Sequence, residues 1–472
     1  MTRALPASCT TLAALLLAGC NLAPSYRPPT TVAIPTTFKE APDWAPARPS
    51  DDAVRGAWWA LFNDPVLDSL ERKVEVTNQN VAAAKATYEA ARALVAVQRS
   101  NLFPTVTGSA SAGRTEPFAS GTATESGTTT GSRFALGIGA SWEPDLWGRL
   151  GNTVSQAKAN AQASAGDLAN ATLSVQGELA TDYVQLRGID AQRVLLDGTI
   201  KDYTRALTIT TNKYQAGTVA HSDVYQAQTS LANATATRQD LDRQRGLLEH
   251  AIAVLVGENP STFSIAQAEW KPVVPDVPGI VPATLLERRP DIAAAERRVA
   301  AANANIGIQR AAYFPQVTLS GSADTTGSVV KQLFSAATSL WSLGLSGLMT
   351  LLDFGARHAQ VQQARAQFDE AAATYRQTTL TAFQQVEDNL IAARVLADVS
   401  KSRVTAADAA NHAEAIANNQ YIAGIVDYSQ VIVAQTTAFT ARQTQIQAVI
   451  DQQTAAVALV QAIGGQWGDA GV

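Results

Sequence analysis

Leu17-Ala18-Gly19-Cys20 sets small residues directly ahead of a cysteine at the end of an apolar run. That order points to a covalent reaction, because cleavage before Cys20 would free its amine and thiol for acylation. Arg3 supplies a basic start, and Leu12 to Ala18 supply the apolar run of a leader. The run is too short to cross a hydrocarbon core of ~30 Å. Each buried methylene contributes ~0.8 kcal/mol, so several acyl chains hold a protein firmly to a membrane. Ordinary secretion, with Cys20 incidental to the cut, is the alternative. Cys9 falls in the leader, so the mature chain keeps one cysteine and forms no intramolecular disulfide.

Little else in the chain is arranged for chemistry. His221, His250, His358 and His412 are scattered without ligand spacing, and with only 2 Met and 2 Cys no metal site is expected. There is no phosphate-binding loop and no nucleophile elbow. Gly137-Ile138-Gly139 lacks a third glycine and lies in a strand pattern, so it is not a dinucleotide fingerprint. The formal charge of −5 gives no basic field for phosphates, which excludes a nucleic-acid partner. An enzyme is not expected, nor any cofactor beyond the lipid on Cys20.

The elements around these residues follow from proline placement. Pro24, Pro28, Pro29, Pro35, Pro42, Pro46 and Pro49 mark an extended arm, and Pro260 to Pro290 a second irregular segment. Between Pro144 and Pro260, and after Pro315, there is none. Proline is expelled from helix interiors, so these stretches suit very long helices. The chain also repeats itself. Tyr214-Gln215-Ala216-Gly217 matches Tyr421-Ile422-Ala423-Gly424 at an offset of 207, kept by Gly148/Gly355, Val224/Val431, Ala227/Ala434 and Gly257/Gly464. A tandem duplication is the economical reading. It divides the chain into a leader at 1–19, an arm at 20–62, a first repeat at 63–257, a linker at 258–290, a second repeat at 291–464 and a tail at 465–472.

Each repeat reads as helix, two strands, long helix, turn, helix. The first is expected to hold helices at 65–101, 149–213 and 222–256, with strands at 105–114 and 133–143. The second holds helices at 291–313, 356–420 and 428–463, with strands at 317–323 and 339–350. The Gly/Ser/Thr-rich stretches 116–131 and 324–337 read as exposed loops. Phe134, Leu136, Ile138, Ala140 and Trp142 alternate with small or polar residues, as do Trp341, Leu343 and Leu345. This fits strands with one face in lipid and Trp142 and Trp341 at its boundary, although a soluble hairpin gives the same pattern. Four strands cannot close, and open edges in lipid cost several kcal/mol per unpaired group, so several chains would share one barrel. Helices of about 65 residues, near 95 Å long and rich in Gln, Asn and Lys, would stand outside the membrane.

At this point the chain resembles the TolC-like outer-membrane factor family, in its lipoprotein branch. Trp58-Trp59 with Phe62, Asp64, Leu67 and Leu70 carries the likeness at the start. Leu286-Glu287-Arg288-Arg289-Pro290-Asp291-Ile292, Ala295-Glu296, Ile306-Gly307 and Tyr313-Phe314-Pro315 carry it in the second repeat. Asp145-Leu146-Trp147-Gly148, Asp353-Phe354-Gly355 and the two Tyr-x-x-Gly turns complete it. In the bacterial lipoprotein sorting pattern that the leader resembles, Asn at 21 favours the outer membrane.

The resemblance implies an α+β membrane protein: a homotrimer whose twelve-stranded barrel continues into a twelve-helix periplasmic tunnel. It implies a passive duct for small molecules such as drugs, joined through a periplasmic membrane-fusion adaptor to an inner-membrane transporter of the proton-driven RND type. The alternative is the export duct of a type I protein secretion system, and a third reading is a structural helical lipoprotein. The family's tunnel narrows at the Tyr-x-x-Gly turns. There Asp427 is expected to form a charged ring, and Tyr421, Tyr428 and Asp223 to hold the closed state through hydrogen bonds. His221 and Ser429 depart from the usual pattern. The adaptor is expected to dock beside Gly217, Val219, Gly424 and Val426, and a helix-breaking proline at Val219 or Val426 to abolish that docking.

Overall fold

The computed structural model describes residues 21–29, 56–115, 131–275 and 289–465. The leader, Cys20, residues 30–55 of the arm, the loop 116–130, residues 276–288 of the linker and the tail 466–472 lie outside the described residues. Among the described residues, seven α-helices and four strands follow in the predicted order. They are α1 (Pro65–Thr77), α2 (Gln79–Ser100), β1 (Thr105–Thr115), β2 (Gly131–Trp142), α3 (Arg149–Gln215), α4 (His221–Leu255), α5 (Pro290–Ala311), β3 (Gln316–Gly327), β4 (Ser339–Leu348), α6 (Ala356–Ile422) and α7 (Tyr428–Ala462). The two repeats match in length where it counts: α3 and α6 have 67 residues each, α4 and α7 have 35 each. Among the described residues no helix is long and apolar enough to cross a membrane.

Two expectations are corrected. The helix expected over 65–101 is two helices, because Asn78 is extended at φ −66°, ψ 125°. Its side-chain oxygen accepts from the amides of Asn80 (2.9 Å) and Val81 (3.0 Å), capping α2, and its amide donates to the Leu255 carbonyl at 2.7 Å. The stretch 324–337 is not all loop. Strand β3 runs on to Gly327, and two short 3-10 turns, Val330–Phe334 and Ala336–Thr338, follow, with Leu333 buried.

The strands form one antiparallel sheet in the order β1-β2-β3-β4. The pairing register merges the separate alternations into a single pattern. Leu136, Ile138 and Ala140 oppose Ala110, Gly108 and Val106 on one side and Thr325, Ala323 and Gly321 on the other. Trp341, Leu343 and Leu345 oppose Ala323, Gly321 and Leu319. One face is therefore apolar across all four strands, while Thr107, Ser109, Ser141, Ser320, Ser322, Ser342 and Ser346 share the other. The apolar face is not covered: Trp341, Leu343 and Leu345 are all more than 70% exposed.

The chain divides into two compact units. Among the described residues, one comprises 21–29, 87–115, 131–164 and 295–375, the other 56–86, 165–275, 289–294 and 376–465. The first holds the sheet, and in it the start of the arm lies along α5. Asn303 donates to the Pro24 carbonyl (2.9 Å), Arg310 to the Leu22 carbonyl (3.3 Å), and the Tyr26 hydroxyl to the Glu296 carboxylate. Burial, then that carboxylate, raises the Tyr26 pKa. A Cβ at Gly307 would come within 2.9 Å of the Ala23 Cα, so only glycine lets the arm lie this close.

In the second unit, Trp58, Trp59, Phe62, Leu67 and Leu70 are buried in one core with Leu179 and Leu186 of α3 and Val457 of α7. Asp64 caps α1, accepting from the amides of Val66 and Leu67, and the Tyr183 hydroxyl donates to it at 2.7 Å. Glu71 is fully buried on α1 with neither carboxylate oxygen hydrogen-bonded. Burial, reinforced by Glu75, pushes its pKa up to about 9, so it is neutral at pH 7.

Candidate functional site

The two Tyr-x-x-Gly turns are built identically. Helix α3 ends where Gly217 takes φ +71°, and α6 ends where Gly424 takes φ +77°. In the first turn the Gly217 amide donates to the Tyr214 carbonyl (2.8 Å) and the Thr218 amide to Lys213 (2.9 Å). In the second, Gly424 donates to Tyr421 (3.1 Å) and Ile425 to Gln420 (2.9 Å). This pair of bonds satisfies the last helix carbonyls and requires a left-handed residue, hence glycine. Val219 and Val426 lie in these turns and not within helices, so proline there would break no helix.

The predicted gate residues fall at or beside these turns. Asp427 precedes α7, is exposed, and makes no side-chain cap hydrogen bond. Asp223 is half-buried in the first turn of α4 and accepts from the Ser222 hydroxyl at 3.4 Å. Tyr421 and Tyr428 come together, with ring centres 5.3 Å apart, in a cluster with Ala227 and Val431. Their packing is apolar. The Tyr428 hydroxyl is buried with no hydrogen-bond partner among the described residues, and the Tyr421 hydroxyl lies 3.4 Å from that of Thr210. No hydrogen bond joins Tyr421, Tyr428 and Asp223 to one another within the chain. Burial, then the neighbouring Tyr421, Tyr203 and Asp223, pushes the Tyr428 pKa up to about 12.

Lys213, in the last turn of α3, is the contact that sequence reasoning missed. Its ammonium sits over the Tyr421 ring, 3.9 Å from the centre, and donates to the Tyr421 carbonyl at 3.0 Å. The signal was an unmatched charge: at the repeat offset the counterpart of Lys213 is Gln420. His221 stands between Tyr214 and Tyr225, with ring centres at 4.5 and 4.4 Å.

The other motifs set the strand-to-helix corner. Asp145 accepts from the Leu150 and Gly151 amides at the start of α3, and Gly148 takes φ +71°. Trp147 stacks on Phe314 at 4.8 Å and donates to the Pro315 carbonyl at 2.8 Å. Arg289 forks onto Asp291 and reaches the Ala462 carbonyl (3.0 Å), with Pro290 opening α5. Among the described residues no group of His, Cys, Asp and Glu is placed to hold a metal ion.

Comparison with known proteins agrees with this architecture. The family model described as outer membrane efflux protein matches residues 71–258 and 281–465, one span for each repeat. The solvent efflux pump outer membrane protein SrpC of Pseudomonas putida is 30% identical over 466 residues, covering 96% of this chain and 97% of the relative. The antibiotic efflux pump outer membrane protein ArpC of Pseudomonas putida is 29% identical over 457 residues, covering 96% and 94%. The solved structure of the outer-membrane channel OprN superposes with a TM-score of 0.83 at 29% identity, covering 95% of this chain and 100% of that one. With both repeats matched in sequence and the fold reproduced, the chain belongs to the outer membrane efflux protein family and is a channel component, not an enzyme.

Proposed function

We propose that this protein is the passive outer-membrane duct of a tripartite efflux pump, carrying drugs or other small apolar solutes out of the cell. The observation that carries this reading is the four-stranded sheet, with one continuous apolar face and an unpaired edge on both β1 and β4. A sheet in lipid has to close, because each unpaired backbone group there costs several kcal/mol. Three copies would supply twelve strands and remove every edge. The long polar helices then form the periplasmic tunnel, and the glycine-capped turns form its tip.

On this reading residues 1–19 are a leader and Cys20 carries the lipid. The turns at Gly217 and Gly424 receive a periplasmic adaptor, which joins the duct to a proton-driven RND-type transporter. Asp427 rings the constriction. The names of SrpC and ArpC, which concern solvents and antibiotics, favour small solutes over polypeptides.

The test is accumulation of amphiphilic dyes, antibiotics and solvents in a clean deletion strain, with plasmid complementation and secreted protein assayed in parallel. Raised accumulation reversed by the plasmid is expected. Unchanged accumulation with loss of a secreted polypeptide would replace this reading with a type I secretion duct.

A further inference from the structure

Residues 266–273 run without regular structure past α3 and α7, and two buried side chains hold the ends of that stretch. Arg187 of α3 donates from Nη1 to the Ala266 carbonyl at 2.8 Å. Gln453 of α7 donates from Nε2 to the Val273 carbonyl at 2.9 Å. Both residues are 4% exposed. A cavity of about 270 Å³ opens between these anchors, lined also by Phe62, Leu67, Val184 and Trp270. All of these residues belong to one compact unit. At ~1.5 Å per residue, Arg187 stands about 40 Å along α3 from Lys213, so the cavity is remote from the glycine-capped turns.

Each anchor keeps one polar group unspent. Arg187 donates from Nε to the Tyr183 hydroxyl (2.9 Å) and from Nη1 to the Ala266 carbonyl and the Asp190 carboxylate, while its Nη2 makes no hydrogen bond among the described residues. Gln453 Oε1 is buried and accepts none. A buried polar group left without a partner costs about 1–3 kcal/mol. The charges of the lining, by contrast, are spent. Asp64 Oδ1 caps α1 and its Oδ2 accepts from Tyr183, and exposed Glu269 pairs with exposed Lys271 at 3.2 Å. With Arg187 and Lys271 set against Asp64 and Glu269, the lining is balanced, and a charged ligand would bring a charge that nothing offsets.

We infer that this cavity binds a small neutral molecule carrying an amide. The ligand's carbonyl accepts from Arg187 Nη2, its N–H donates to Gln453 Oε1, and its apolar part packs between Trp270 and the side chains of Phe62, Leu67 and Val184. An amide supplies one acceptor and one donor without charge, which is what the two anchors lack. The volume lies just below the ~300 Å³ at which pockets for drug-sized ligands begin, so the ligand is of fragment size. Binding ties the 266–273 stretch more firmly to α3 and α7, because the ligand bridges the two side chains that already hold it.

The test is a saturation-transfer NMR titration of the detergent-purified full chain with benzamide. Methyl benzoate, which has the carbonyl but no N–H, and benzoate, which is charged, are titrated alongside. Saturable binding of benzamide is expected, at least tenfold tighter than either comparison. Gln453→Met removes the acceptor and should abolish the advantage of benzamide over methyl benzoate. Trp270→Ala, at a half-buried position outside the helices, should weaken benzamide at least tenfold and serves if the first variant fails to fold. Absence of saturable binding overturns the site. Benzamide binding that is the same in wild type and both variants lies elsewhere and also overturns it. Benzoate binding as tight as benzamide overturns the neutral class of ligand.

Discussion

The Lys213 ammonium lies 3.9 Å from the centre of the Tyr421 ring and donates to the same residue's carbonyl at 3.0 Å, so one side chain ties the end of α3 to the end of α6. A partly desolvated cation–π contact contributes about 1–2 kcal/mol. Lys213→Gln should therefore loosen the tip and raise the open fraction of single channels in a planar bilayer several-fold. An unchanged open fraction would remove Lys213 from the gate.

Asp427 is exposed, and its carboxylate caps no helix amide. On a threefold axis such residues make a negative ring that favours cations and resists anions. Asp427→Ala should raise conductance or lower cation selectivity, read from reversal potentials in a salt gradient. If neither moves, the constriction is lined by other groups.

Gly217 and Gly424 hold φ near +75° with no heavy atom in the way of a Cβ, so backbone conformation alone demands glycine there. A β-branched residue in the left-handed region costs about 1–2 kcal/mol or more. Gly217→Val and Gly424→Val should abolish crosslinking to the adaptor while trimers still form. Undiminished crosslinking would mean that the adaptor binds elsewhere.

Glu71 has a folded pKa near 9, raised above the 4.5 of an exposed carboxyl by burial and then by Glu75. A raised pKa gives stability that is complete below about 4.5 and is lost as pH climbs towards 9, because the unfolded chain ionises first. The unfolding temperature should fall between pH 5 and pH 8, and Glu71→Gln should flatten that slope by several degrees. Parallel slopes for the two proteins would show that other groups control it.

Gly307 leaves room for Ala23, and the arm's contacts to Asn303 and Arg310 lie on the same helix. Gly307→Val should lift residues 21–24 from α5. Hydrogen exchange in that segment is the measurement, and an increase of tenfold or more is expected. Protection equal to wild type would show that the side-chain contacts alone hold the arm.

Local rules written in the sequence determined most of the elements. Proline-free stretches marked α3, α4, α6 and α7, because proline cannot sit inside a helix. The glycines at 217 and 424 marked the ends of α3 and α6, because only glycine enters the left-handed region freely. The break at Asn78 carried only a local cue, an Asn side chain able to cap α2, while the bond from its amide to the Leu255 carbonyl, 177 residues away, came with packing. Strand alternation was legible strand by strand, but pairing register decided that Ile138, Ala323 and Trp341 share one apolar face. The residues proposed for the gate were recognisable as turn residues, yet packing decided that Tyr421 and Tyr428 are buried rings and that Asp427 is exposed. Lys213 came to Tyr421 only when two helix ends 208 residues apart were brought together, and no local pattern encodes a contact of that range.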